Sequence, residues 1–272
     1  SMYETLLSTA MVFKSGGGVG YNFSTIRPRG SLVRSTKGRA SGVVELIRLY
    51  NASSDMVMQG GVRRGASMGI LNIDHPEIMD FIHAKLDGGL TNFNLSVGIT
   101  DAFMEALEHG ADWPLVFNGE VHDILPAAEL WQEIVKSAHA CGDPGIIFVD
   151  RLQKHNPVPK MAINSTNPCG EQPLCPGESC LLGSINLARV VSADGRVNVD
   201  LYNDVVSTAV RFLDNLIDVA EYPLPLIAEA TRATRKIGLG FTGLADALIM
   251  AGLPYDSPEG RDYAGRITEM MQ

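Results

Sequence analysis

Three of the chain's four cysteines, Cys169, Cys175 and Cys180, fall within residues 164–186, a stretch interrupted by Pro168, Gly170, Pro173, Pro176 and Gly177. Prolines and glycines at that density forbid a long helix. Asn167, Cys169 and Glu171 stand at alternate positions, and Pro168 holds the residue before it extended. Alternate side chains of an extended segment project to one side, so an amide, a thiol and a carboxylate are expected to face one volume. The turn at Pro176 and Gly177 is expected to bring Cys180 close. A carboxylate beside a thiol disfavours thiolate chemistry. It suits a reaction in which sulfur loses a hydrogen atom while the carboxylate moves a proton. The spacing of the three cysteines, with no histidine nearby, fits zinc patterns poorly. A zinc-binding interaction module is therefore the weakest alternative, and no metal site is expected.

The elements that must position this stretch are legible from periodicity. Residues 2–13 read as a helix with no cap before it and with Leu6, Ala10 and Phe13 on one side. Gly16, Gly17 and Gly18 then allow either a tight turn or a close backbone approach to a ligand, without satisfying a Walker or dinucleotide pattern. Residues 24–40 carry Arg27, Arg29, Arg34, Lys37 and Arg39 and no acid. They read as a solvated loop or as one that contacts phosphates. A helix over 41–58 follows, with Ser41 as its N-cap and Val43, Leu46, Ile47 and Tyr50 on its apolar side. The segment from Gln59 to Ala66 ends that helix and opens a strand over 67–73. Arg63 and Arg64 there answer the helix dipole in the plainest reading.

Asp74 and Glu77 form a capping-box pattern for a helix reaching about Lys85, in which His75 and His83 read as surface or satisfied residues. Residues 92–99 alternate as a strand, with Asn94 and Ser96 on one face, towards a barrel interior or towards solvent. Thr100 caps a helix over 101–109. A helix over 127–140 ends at a structural Cys141, and 145–150 reads as a short strand. Beyond the cysteine stretch, 181–191 is strand-like. A long helix spans 199–221, with Val205, Ala209, Phe212, Leu216 and Val219 as its expected buried stripe. Helices at 226–235, 241–251 and 258–271 complete the chain. Strand–helix alternation over the first two-thirds places the fold in the α/β class.

Asn-Pro-Cys-Gly-Glu at 167–171, then seven intervening residues, then Ser-Cys-Leu-Leu-Gly-Ser-Ile-Asn-Leu from Ser179, resembles the catalytic finger loop of ribonucleotide reductase large chains. The neighbourhood is most similar to the adenosylcobalamin-dependent class, and the resemblance extends through residues 13–24, 59–69 and 142–150. It implies part of a ten-stranded α/β barrel with the cysteine finger loop, about 164–186, at its centre. The chain would be a single catalytic-barrel segment truncated at both ends, with an effector and specificity region over about 1–66. The implied activity is that of a ribonucleoside-diphosphate reductase, making 2′-deoxyribonucleotides for DNA synthesis by a thiyl-radical mechanism. Whether the substrate is a di- or triphosphate stays open.

By the same resemblance, Cys169 carries a transient thiyl radical that takes the ribose 3′-hydrogen, and Glu171 is general base on the 3′-hydroxyl. Asn167 hydrogen-bonds the ribose hydroxyl region, and Cys180 is half of the redox pair that supplies two electrons. Cys175 is a bystander. Gly17, Gly18, Ser165 and Thr166 line the substrate site. Gln59, Gly60, Gly61, Val62, Arg63 and Arg64 form the effector-linked specificity loop. The implied cofactor is adenosylcobalamin, whose Co–C bond breaks homolytically. The implied partners are a ribonucleotide, deoxynucleotide or ATP effectors, a thioredoxin-like or dithiol reductant, and a second copy in a homodimer. The family's second redox cysteine lies upstream, yet no cysteine precedes Cys141, and the phosphate-binding segment after the last helices is missing. The chain alone is therefore expected not to turn over. A large subunit served by a separate radical-bearing subunit is the nearer alternative, and a non-catalytic nucleotide-binding regulatory fragment the more distant one.

Composition fits this reading. A chain of 272 residues, 45% hydrophobic and 19% charged, is long enough for a substantial core. A net charge of −9 argues against nucleic-acid backbones as partners. No apolar run reaches a membrane span and no secretory leader is evident, so the expected location is cytoplasmic.

Overall fold

The computed structural model describes residues 1–33, 37–59 and 63–272. They divide into two compact units, 1–177 and 178–272, each with its own core. The first opens with α1 (Met2–Lys14), β1 (Val19–Asn22), a hairpin of β2 (Leu32–Val33) and β3 (Gly38–Arg39), and α2 (Val43–Met56). A hairpin of β4 (Met58–Gln59) and β5 (Arg63–Arg64) follows, then β6 (Ser67–Asn72), α3 (Ile78–His83), β7 (Phe93–Ile99) and α4 (Asp101–Glu108). A further hairpin, β8 (Asp112–Phe117) and β9 (Glu120–Pro126), leads to α5 (Ala127–Cys141), β10 (Gly145–Phe148) and α6 (Val149–Lys154). Two short strands, β11 (Ser165–Thr166) and β12 (Pro173–Leu174), form the last hairpin of this unit.

Four of these strands make one parallel sheet in the order β1-β6-β7-β10. One face bears Tyr21 and Leu95, register partners across Gly69. The rings of Tyr21, Phe23, Tyr50 and Phe93 gather with centroid separations from 5.3 to 6.4 Å, a range in which aromatic pairs attract. Leu71, Val97, Ile99, Phe103 and Leu130 extend this core. The opposite face carries two cross-strand rows: Gly20–Met68–Asn94, and Asn22–Ile70–Ser96–Gly145. Among the described residues the parallel strands are these four and one further pair in the second unit, and they close no barrel.

The capping expected around α2 and α3 is reassigned by the structure. Ser1, not an uncapped start, caps α1, accepting from the Glu4 N–H. The N-cap of α2 is Gly42, at φ 96°, rather than Ser41. Glu77 makes no capping box with Asp74, and α3 begins only at Ile78. Its carboxylate instead accepts from the Val43 N–H at 2.9 Å and the Arg29 N–H at 3.1 Å, so a residue 34 positions away caps α2. A Cβ at position 42 would overlap that carboxylate, which is why a glycine stands there. Buried His75 braces the same turn, its Nδ1 accepting from the Glu77 N–H and its Nε2 donating to the Ile26 carbonyl. Burial holds its imidazole below the usual histidine range. Glu77→Ala strands two N–H groups and is expected to destabilise this unit by about 2–4 kcal/mol. Urea unfolding would show this as a lower midpoint at constant slope, and an unmoved midpoint would refute it.

The second unit holds β13 (Leu181–Asn186), a 3-10 turn at Leu187–Arg189, α7 (Val199–Val219), α8 (Pro225–Thr234), β14 (Ile237–Thr242), α9 (Leu244–Met250) and α10 (Pro258–Met271). Strands β13 and β14 pair in parallel from Leu181 opposite Ile237 to Asn186 opposite Thr242. Strand β14 replaces the expected start of a helix at 241, because its two glycines dilute the strand signal and Gly243, in the left-handed region, fixes where α9 begins. The strand-like run ends at Asn186 rather than 191. The buried side chains of α7 are Tyr202, Leu213 and Ile217, whereas Phe212 is 61% and Val219 73% exposed. Of the expected stripe, Val205 packs half-buried against the core, and Leu213 lies over the Gly183 position on β13. An ion pair of Glu178 with Lys236, at 2.7 Å, is buried in this unit.

Candidate active site

The segment from Asn167 to Glu171 is a tight turn, not the extended run that alternation suggested. Asn at its first position, Pro at its second and Gly at its fourth favour a β-turn, closed by the Gly170 N–H donating to the Asn167 carbonyl at 3.1 Å. Gly170 has φ 89°, a value that side-chain-bearing residues avoid. Strands β11 and β12 flank the turn, with Ser165 opposite Leu174 and Thr166 opposite Pro173. The Asn167 N–H donates to the Gln172 carbonyl at 3.2 Å, and the Gln172 N–H returns to Asn167 Oδ1 at 2.9 Å. With Oδ1 so committed, Asn167 can offer a ligand its NH2 group as a donor.

Asn167, Cys169 and Glu171 are thus gathered in one five-residue turn, with the thiol and the carboxylate both exposed. Ser165 and Thr166 are buried at its base, where the Thr166 hydroxyl donates to the Asn167 carbonyl at 2.8 Å. Buried Cys175 lies next to the Asn156 amide, at 3.9 Å. The turn at Pro176 and Gly177 is present, with Gly177 at φ 80°. Cys180 lies in the second unit, where the preceding Ser179 is tied to buried Thr231 through both its N–H and its hydroxyl.

What seats the turn is the polar face of the parallel sheet. A Cβ at Gly20 would overlap the Thr166 carbonyl oxygen and stand 2.7 Å from Ser165 Oγ; a Cβ at Gly18 would overlap the Pro168 ring. The Asn22 amide donates to the Asn164 carbonyl at 3.0 Å, and the Asn94 amide to the Pro168 carbonyl at 2.7 Å. The glycine run therefore admits the hairpin itself: Gly18 meets it, while Gly17 meets the Val12 side chain. Gly20 and Asn22 were not marked by sequence reasoning, and Asn94 only as one of two polar residues on a strand face. The polar face shared by Asn94 and Ser96 was the available signal.

Elsewhere in the unit, Arg27 and Arg39 donate to the Leu32 and Gly30 carbonyls of their own loop, and Arg29 pairs with Asp80 at 3.5 Å. Arg34, Gly60, Gly61 and Val62 lie outside the described residues; Gln59 and Arg63 are backbone partners in the β4–β5 hairpin, as are Met58 and Arg64. Among the described residues no cluster of His, Cys, Asp and Glu forms a metal site, and no helix is long and apolar enough to cross a membrane.

A family model described as ribonucleotide reductase, barrel domain, matches residues 1–272. Over 277 residues the chain is 51% identical to a vitamin B12-dependent ribonucleoside-diphosphate reductase of Mycobacterium tuberculosis (strain CDC 1551 / Oshkosh), covering all of this chain and 40% of the relative. It is 46% identical over 272 residues to a protein of the same description from Thermoplasma acidophilum, covering 98% of this chain and 35% of that one. A ribonucleoside-diphosphate reductase large chain of Schizosaccharomyces pombe is 31% identical over 291 residues, covering 94% and 36%. The chain thus spans 40% or less of the length of these relatives.

Proposed function

Because the chain belongs to the ribonucleotide reductase barrel-domain family, we propose that it supplies the radical-cysteine turn of an enzyme that reduces ribonucleotides to 2′-deoxyribonucleotides. The observation that carries this reading is the mounted turn, in which an exposed thiol and an exposed carboxylate flank Gly170 beside a carboxamide whose free function is a donor. Cys169 takes the 3′-hydrogen of the ribose, Glu171 accepts the 3′-hydroxyl proton, and the Asn167 NH2 holds a ribose hydroxyl. The thiol returns the hydrogen atom at the end of the cycle. As the 2′-hydroxyl leaves as water, two electrons come from a dithiol that becomes a disulfide. Cys180 is one half of that dithiol, and its partner is carried outside this sequence. Ser165, Thr166, Gly17 and Gly18 are assigned to substrate binding by the resemblance, and residues 59–64 to effector-linked specificity.

The relatives' names point to a cobalamin, and adenosylcobalamin supplies, when bound, a radical that an accessible thiol can receive. Exposed Cys169 meets that requirement. No residue of this chain is assigned to hold the corrin, and no step above is routed through it. Deoxynucleotide or ATP effectors, a thioredoxin-like reductant, a homodimer and a cytoplasmic setting belong to the same proposal.

The test is deoxynucleotide formation by the full-length protein under a dithiol reductant, with and without adenosylcobalamin. Turnover only with the cofactor is expected, and none from residues 1–272 alone. Turnover that needs a metal-radical subunit instead would move the protein to the neighbouring class. Nucleotide binding without turnover in either assay would replace the catalytic reading by a regulatory one.

A further inference from the structure

The entry to β7, residues 92–95, is tied to its surroundings by side-chain hydrogen bonds as well as by the sheet. Asn92, 5% exposed, receives the Ser67 N–H on its carbonyl at 2.9 Å and donates its own N–H to Asn51 Oδ1 at 3.0 Å. Its amide group reaches Asp55 Oδ1 at 2.7 Å. The Phe93 carbonyl accepts from Lys85 Nζ at 2.6 Å, and the Leu95 N–H donates to Asp143 Oδ1 at 2.9 Å. Phe93 and Leu95 send their side chains into the aromatic core at 1% and 2% exposure. Residues 92, 93 and 95 are therefore each tied to side chains outside their own strand. Between them stands Asn94, whose side chain faces the other way and donates to the Pro168 carbonyl.

That one bond has leverage on the residue that follows. The proline ring locks φ of Pro168, and the Pro168–Cys169 peptide is planar. The free torsion left at Pro168 is ψ, which sets where its carbonyl points and where the Cys169 nitrogen lies. A donor on this anchored backbone, 2.7 Å from that carbonyl, restrains ψ and with it the position of the Cys169 nitrogen and Cα.

We infer that Asn94 is the positioning residue for Cys169, and that the pinned start of β7 exists to hold it. The inference rests on the proposed role of Cys169 for its catalytic consequence, but not for its geometry. A reacting centre displaced by about 1 Å loses rate by about 100-fold without losing substrate affinity. Asn94→Leu keeps the size of the side chain and removes the donor. In the full-length reductase, it is expected to lower kcat by about 10- to 100-fold, with KM for the ribonucleotide within about twofold of wild type. Amide exchange across residues 165–172 should rise about fivefold, the factor expected from one lost hydrogen bond, with the thermal midpoint unmoved. Met68→Leu, in the same row, is the packing control and should leave exchange of the turn near wild type. Unaltered exchange and unaltered kcat in Asn94→Leu would overturn the inference. So would a kcat loss matched by a fall in the thermal midpoint or by a rise in KM alone. If Cys169→Ser retained turnover, the proposed reaction would fall, while the exchange measurement would still decide whether Asn94 sets the turn.

Discussion

Cys169→Ser is expected to abolish deoxynucleotide formation by the full-length protein, by at least about 10⁴-fold or about 5.5 kcal/mol of barrier. The reason is the bond rather than the shape. A serine hydroxyl occupies nearly the same volume at the tip of the turn, but its O–H bond is too strong to yield a hydrogen atom where an S–H bond can. Because the Cys169 side chain is exposed, the substitution disturbs no buried packing. The Gly170-to-Asn167 bond that closes the turn is backbone and survives. The thermal midpoint should therefore stay within about 1 °C of wild type, since surface changes of this kind cost within about 0.5 kcal/mol. Residual multiple turnover above the background of the assay would remove Cys169 from the proposed role. A midpoint lowered by several degrees would mean that the thiol has a structural task as well.

The second large effect is expected far from any reactive group, at Gly20. A Cβ there cannot coexist with the Thr166 carbonyl oxygen, and the obstacle is backbone, which cannot rotate away as a side chain would. Gly20→Val must push the hairpin off the sheet or push β1 out of register with β6. Either outcome is expected to cost about 3 kcal/mol and most of the activity, because overpacking against immovable atoms reaches that scale. Gly240→Ala is the matching control, since a Cβ there meets nothing within 4 Å. Limited proteolysis within residues 160–175 would register the displaced hairpin. Equal protease resistance in wild type and Gly20→Val would mean that the hairpin does not depend on this contact.

Much of the scaffold was legible because its signals are local. Periodicity in residues 2–13, alternation in 92–99, the Thr100 cap and the helix at 127–140 all correspond to observed elements within a few residues. The turn bearing Cys169 also had a local signature, Asn-Pro-Cys-Gly, and alternation was the wrong period to apply to it. Other features were hidden by their nature. Glu77 sits where a capping box is expected, and only the folded chain shows that it caps a different helix. Glycine at 20 carries no local sign of its reason, the passage of a carbonyl that lies 146 residues later in the sequence. Residues 112–126 form a hairpin with one largely exposed strand, so no strong hydrophobic pattern announced it. Which donor reaches the Pro168 carbonyl is likewise a long-range fact that no single stretch of sequence contains.

The hairpin that carries Cys169 has strands of only two residues each. A hairpin that small has no stability of its own in water. Its shape is lent to it by Gly18, Gly20, Asn22 and Asn94, every one of which precedes it in the chain. A ribosome delivers the seat before the hairpin, so the sheet can be complete when residues 164–174 emerge. The sulfur is then presented only by a chain whose scaffold has already formed. An unassembled or damaged chain would leave the same cysteine on a floppy segment, aimed at nothing in particular. The order of synthesis thus runs from seat to hairpin, which suits the radical role proposed for Cys169.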